Sequence, residues 1–137
     1  AIGASLATVH RLPRATAAAA SRTVEHVPFD EARLAAFRAE GRVVFVNITA
    51  DWCVSCKANE RTVLGRPAFA DALRGAGAIY MVGDYTDVDP ALTAYLQRNG
   101  AVGVPLYVVY PRRGEPVVLP TLLTPSITAD ALKAAAR

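Results

Sequence analysis

The chain has 137 residues, 53% of them apolar and 20% charged, about the size of one globular domain with a single core. Its net charge of +3 comes from 15 Lys and Arg scattered among 12 acids, with no block of like charge. No basic track is interleaved with aromatic residues, which argues against binding to single-stranded nucleic acid.

The first nine residues, AIGASLATV, are apolar, but as a helix they would rise only about 14 Å against a bilayer core of roughly 30 Å. They read as a disordered end or as the tail of a transmembrane helix. HRLPRATAAAASR follows, Ala-rich, with Pro13 and no long apolar face, which is the composition of a tether. From Val24 the pattern changes to that of an α/β unit. Asp30 as N-cap, Leu34 and Phe37 on one face and Gly41 as terminator predict a helix over about 31–40. RVVFVNIT, 42–49, is a continuous β-branched run suited to a strand buried on both faces. A helix over about 53–63 and a shorter one over 67–74, opened by Pro67, come next. AIYMVGDYT reads as a second strand. DPALTAYLQRNG is the clearest helix, with Asp89 as N-cap, Pro90 first and Asn99-Gly100 at its end. VPLYVVY and PVVL flank PRRGE, a hairpin signal with Gly114 in the turn, and TADALKAAAR closes the chain as a helix. This order predicts a mixed sheet with helices on both faces.

The chemistry is concentrated in ITADWCVSCKANE, residues 48–60, which holds the two cysteines of the chain, Cys53 and Cys56. They fall where a central strand ends and a helix begins, the place where open α/β sheets carry their sites. Unpaired N–H groups and the helix dipole there favour a thiolate at Cys53, while Cys56, one turn further in, can close a disulfide. Zinc would need two more ligands, and the histidines on offer, His10 and His26, lie upstream. A purely structural disulfide over two intervening residues would restrain little chain entropy. Thiol:disulfide exchange is the reading left, with Cys53 attacking and Cys56 resolving. Val54 and Ser55 add no positive charge between the sulfurs, and Asp51 and Glu60 bring negative charge near, which favours a reducing couple. Lys57 opposes this, although its long side chain can hold the charge in solvent. Glu60, four residues after Cys56, shares its helical face and is expected to turn inward towards the sulfur. Asp51 reads equally well as solvated helix-end charge. Trp52 is expected at the rim of the site, and Phe45, Tyr80, Met81, Leu96 and Tyr107 in the core.

ADWCVSCK resembles the active-site turn of the thioredoxin fold, and VGVPLYVVY resembles its cis-proline strand, with Pro105, after Val104, facing the disulfide. More narrowly, ADWCVSCKANE with GVPLYVVY and LPTLLTP is similar to the C-terminal periplasmic domain of DsbD-type membrane thiol reductants, and among these to the ScsB-like branch. The resemblance covers about residues 24–135. It implies a thioredoxin fold over 24–137, with a central mixed sheet, helices on both faces and a C-terminal hairpin plus helix. It makes 1–9 the end of a truncated transmembrane helix and 10–23 a linker, and places the domain on the periplasmic face of the bacterial inner membrane. Arg11, Arg14 and Arg22 pull the other way, since basic residues beside a span favour the cytoplasmic side. The implied function is an electron relay. A transmembrane domain of the same protein is the donor, periplasmic thioredoxin-like proteins are the acceptors, and no cofactor is expected beyond the Cys53–Cys56 pair. Where the family usually has an Asp six residues before the first cysteine, this chain has Asn47, which cannot ionise, so proton transfer falls to Glu60 or to water. Two alternatives stay open: an oxidase or isomerase of the same fold, and a Cu(I)-binding module using the two thiolates, although no His or Met is added beside CVSC.

Overall fold

Residues 24–137 are described by the computed structural model, and the expected helix end at 1–9 and linker at 10–23 lie outside them. The apolar run forms strand β2, Val44–Thr49, at the centre of a five-stranded sheet. In chain order the elements are β1 (Val27–Pro28), α1 (Glu31–Ala39), β2, α2 (Val54–Asn59) running into a π-helical turn (Glu60–Leu64), α3 (Pro67–Ala76), β3 (Ile79–Asp84), α4 (Pro90–Arg98), β4 (Leu106–Tyr110), β5 (Val117–Val118) and α5 (Pro125–Ala135). Across the sheet the order is β1-β3-β2-β4-β5. β3 lies parallel to both β1 and β2, and β4 pairs antiparallel with β2 and β5. This is the thioredoxin-like arrangement with its C-terminal hairpin and helix.

Both faces of the sheet are covered, which is why β2 reads as an unbroken apolar run rather than an alternation. Val43, Phe45, Tyr80, Tyr107 and Val109 face a core shared with Val63 and Leu64 of the π-turn, Phe69 and Leu73 of α3, and Leu132 of α5. Val44, Val46, Ile48, Met81 and Val108 face the other way, against Leu34 of α1 and Leu92, Tyr95 and Leu96 of α4. Phe45, wholly buried, meets Phe69 and Tyr80 edge-on at centroid distances of 5.1 and 5.8 Å. Truncating an aromatic so placed costs about 3–5 kcal/mol in lost transfer energy and cavity.

The helix starts follow their caps. Asp30 accepts from Arg33 N and Asp89 from Ala91 N, each at 2.8 Å, contacts worth about 1 kcal/mol apiece. α5 starts earlier than the predicted 128, because Thr124 caps Ile127 N at 3.2 Å and Pro125 takes the first helical position. The helix expected over 53–63 instead divides at Glu60, where the α-helix gives way to the π-turn. β1, too short for periodicity to reveal, is held by its register with β3, Val27 opposite Met81. No described helix is long and apolar enough to cross a membrane.

Candidate active site

β2 ends at Thr49, and the chain turns through Ala50–Trp52 to place Cys53 as the N-cap of α2. Its Sγ accepts from Cys56 N at 3.2 Å, so the sulfur itself serves as the capping acceptor. Cys53 and Cys56 are joined as a disulfide, with Cα atoms 5.3 Å apart. The pair is asymmetric: Cys53 keeps 6% of its surface exposed and Cys56 none. Ala50, Tyr85 and Val104 pack around the two sulfurs. The Val104–Pro105 bond is cis. Val102, Gly103, Val104 and Pro105, with Leu119 and Thr121 across from them, line a cleft of about 330 Å³.

Trp52 lies at the rim as expected, 58% exposed, its Nε1 donating to Thr86 O at 3.1 Å. Asp51 is also exposed, and its backbone N–H donates to Thr86 Oγ1 at 2.9 Å. Thr86 in turn donates its hydroxyl and backbone N–H to Asp84, and these bonds hold the Asp84 carboxyl below the usual carboxylate range. Lys57 does not wave free in solvent. Its Nζ lies 3.4 Å from Glu60 Oε2 and 3.5 Å from Asp51 Oδ1, and chiefly the Glu60 charge raises its pKa above the ordinary lysine value.

Glu60 departs from the expectation that it would be buried under the disulfide. It keeps 35% of its side chain exposed, paired with Lys57, while Oε1 accepts from Thr49 Oγ1 at 3.2 Å. The inward position next to Cys56 is taken by Asn59, three residues on rather than four and 1% exposed. Sequence reasoning missed Asn59. Its Nδ2 donates to Tyr107 Oη at 2.9 Å and Thr121 O at 2.8 Å, and its Oδ1 accepts from Leu123 N at 3.1 Å. One amide thus ties the cysteine helix to β4 and to the loop before α5. An Asn inside an apolar helical stripe was the available signal.

Asn47 is buried, as expected, and donates Nδ2 to Tyr80 Oη at 2.9 Å, while its Oδ1 has no hydrogen-bond partner. It faces Tyr107 across the β2–β4 ladder. Burial pushes both the Tyr80 and the Tyr107 hydroxyl up to about 12; hydrogen bonds from Asn47 and Asn59 oppose that, and the Glu60 charge adds to it. The hydroxyls and the two amides therefore form two buried polar pairs beneath α2, Asn47 with Tyr80 and Asn59 with Tyr107. His26 lies elsewhere, edge-on to Tyr80 and lining a cleft with Arg42 and Gly77 at the end of the sheet away from the cysteines.

Comparison with known proteins decides the family, because the thioredoxin-like family model matches residues 27–111, most of the described chain. The chain belongs to the thioredoxin-like family. Within it the domain is of the DsbD type. It is 34% identical over 103 residues, 75% of its length, to thiol:disulfide interchange protein DsbD 2 of Pseudomonas aeruginosa. It is 31% identical over 87 residues, 64% of its length, to DsbD of Pseudoalteromonas atlantica. The chain spans only 17% and 14% of those relatives, less than a fifth of either. The oxidised C-terminal domain of Neisseria meningitidis DsbD superposes with a TM-score of 0.64, covering 81% of this chain and 99% of that one at 21% identity, which shows the shared fold. Its Cys53–Cys56 disulfide gives the thioredoxin-like domain the paired sulfurs that thiol:disulfide exchange requires.

Proposed function

We propose that this domain is the outward relay of a membrane thiol reductant, taking two electrons from a membrane-embedded domain of the same protein and passing them to thioredoxin-like proteins in the periplasm. The observation that carries the reading is the asymmetry of the disulfide, with Cys53 keeping 6% of its surface open to solvent and Cys56 none. In the reduced domain the Cys53 thiolate attacks one sulfur of a partner disulfide, forming a mixed disulfide and expelling a partner thiolate. Cys56 then gives its proton to the Glu60 carboxylate and attacks Cys53 Sγ, expelling the partner's second sulfur as the thiolate. Two electrons leave the domain, which ends oxidised, and the partner ends as a dithiol. Exposed Trp52, Val54 and Val102 and the cleft beside Val104 and Pro105 supply an apolar docking rim for the partner's extended segment.

Direction follows from charge. Asp51 and Glu60 oppose a thiolate, and Lys57 is neutralised between them, so the dithiol gains little stabilisation and the couple is reducing. The reduction potential is expected nearer −270 mV than the −120 mV of a strong oxidant, roughly 7 kcal/mol apart for two electrons. Equilibration with glutathione measures it, and a value above about −180 mV would make the domain an oxidase or isomerase instead. A Cys56→Ala variant, which halts exchange at the mixed disulfide, captures the partners for mass spectrometry. Recovery of periplasmic thioredoxin-like proteins supports the relay, and recovery of unrelated secreted proteins alone counts against it.

A further inference from the structure

Glu60 is fixed at both ends of its backbone. Its N–H donates to Cys56 O and Lys57 O, and its C=O accepts from Gly65 N at 2.7 Å, the five-residue bond that closes the π-turn. At Gly65 there is no room for a side chain, since an added Cβ would stand 2.7 Å from the Glu60 carbonyl oxygen. Real Cβ atoms do not approach backbone oxygen that closely, so any other residue there forces the Glu60 peptide to move. The backbone conformation of Gly65, φ −86° and ψ 4°, is open to any residue. The requirement for glycine is therefore one of space around Glu60 alone.

We propose that Gly65, through the π-turn it closes, is a positioning residue that sets the Glu60 carboxylate beside the cysteine pair. The proposal rests on the reading of Glu60 as proton acceptor for Cys56. The turn lets two buried anchors coexist on one short segment, Cys56 and Asn59 over the site and Val63 and Leu64 in the core. It leaves Glu60 between them at the rim, where Thr49 from β2 and Lys57 from α2 hold its two oxygens. The other charged and titratable groups around it are Asp51 ahead of the helix, Asp84 at the end of β3, Tyr80 on β3 and Tyr107 on β4. A π-turn contains one residue more than the α-turn it replaces, so the wide turn is a local insertion that glycine makes sterically possible.

The test measures alkylation of the reduced 137-residue chain by iodoacetamide across about pH 6 to 9, the range in which thiols titrate, for the parent, Glu60→Gln, Gly65→Ala and the double variant. Removing a half-screened carboxylate should lower the midpoint by about half a pH unit, less than a fully buried charge would give. Gly65→Ala should move the midpoint in the same direction by at least half as much and add nothing in the Glu60→Gln background. Deleting Thr62, an exposed residue of the turn, restores the α-helical count and should act like Gly65→Ala, and it carries the test where the alanine variant does not fold. If Glu60→Gln shifts the profile while Gly65→Ala and the Thr62 deletion both match the parent, the positioning role is wrong and the Glu60 reading stands. If Glu60→Gln itself matches the parent, the proton-acceptor reading fails and takes the positioning role with it. A further shift by Gly65→Ala in the Glu60→Gln background also refutes the proposal, because Gly65 would then act through some other group.

Discussion

Replacing Asn59 with Ala removes three hydrogen bonds in one step, to Tyr107 Oη, Thr121 O and Leu123 N, which join the cysteine helix to β4 and to the loop before α5. Each intramolecular bond contributes about 0.5–1.5 kcal/mol net, and a partner left buried and unpaired costs about 1–3 kcal/mol. Tyr107 and Leu123 are buried and would be orphaned, whereas Thr121 is exposed and can turn to water. The expected loss is therefore roughly 3 kcal/mol, or about 10 °C in Tm for a domain of this size. The assay is thermal unfolding of the oxidised chain followed by near-ultraviolet circular dichroism and Trp52 fluorescence. Asn59→Leu separates bonding from volume, since it refills the space and leaves the same three groups unpaired. Both variants should fall together. A drop below about 3 °C for Asn59→Ala, or full recovery in Asn59→Leu, would show that the amide is filling space and that its bonds contribute little.

Tyr80 and Tyr107, with hydroxyls pushed up to about 12 by burial from an ordinary 10, give a stability contribution that is complete below pH 10 and is lost as the pH rises towards 12, because the unfolded chain releases those protons first. Tyr95, raised by burial and by its bond with Tyr110, adds in the same direction, so Tm should fall steadily above about pH 10, and a flat profile to pH 11 would contradict the burial argument. Gly83→Ala puts a Cβ 2.7 Å from Ile48 Cδ1 and 3.1 Å from Leu92 Cδ2, and should cost about 1–3 kcal/mol in a urea titration, with a neutral result showing that the strand can shift away. Asn47→Asp places an ionisable group against Tyr80 and should raise the midpoint of thiol alkylation; an unchanged midpoint would mean that residue 47 is electrically remote from the sulfurs.

Much of this site was legible because its signals are local. A CxxC at a strand end, an X-Pro at a strand start and Asp-Pro at a helix start each describe a few neighbouring residues, and the structure puts Cys53, Cys56, Trp52 and the cis Val104–Pro105 bond where those signals point. Glu60 was expected inward and Asn59 was not singled out, because one helix seen alone does not show which of two adjacent positions the rest of the fold covers. The turn changes to π-helical at Glu60 itself, and the bond that makes it so depends on Gly65, five residues downstream. The partners of Asn59 at Thr121 and Leu123 lie 62 and 64 residues away, beyond any window of periodicity. Lys57 does keep its charge towards solvent, and what a single helix does not reveal is that Asp51 folds back to within 3.5 Å of it.

The sheet separates two kinds of environment at the level of the disulfide. On the α4 side, Val46, Ile48 and Leu106 meet Met81 and Leu92, and the polar group nearest the disulfide is the Tyr85 hydroxyl, bonded to Thr93 Oγ1 at 2.6 Å. On the α2 side the same strands present Asn47, Thr49, Tyr80 and Tyr107 beneath Asn59 and Glu60. Of these, Tyr80 and Tyr107 are held protonated near neutral pH, and the asparagines and threonine do not ionise at all. The ionisable carboxylate on this side is Glu60, the proton acceptor of the proposed relay, which sits at the rim in contact with Lys57. An Asp at position 47 would be enclosed and would have to pass its proton outward through other groups. With Glu60 at the solvent-exposed rim as the acceptor of the proposed relay, the proton would pass to water without crossing the core, and a non-ionising Asn47 is compatible with that relay.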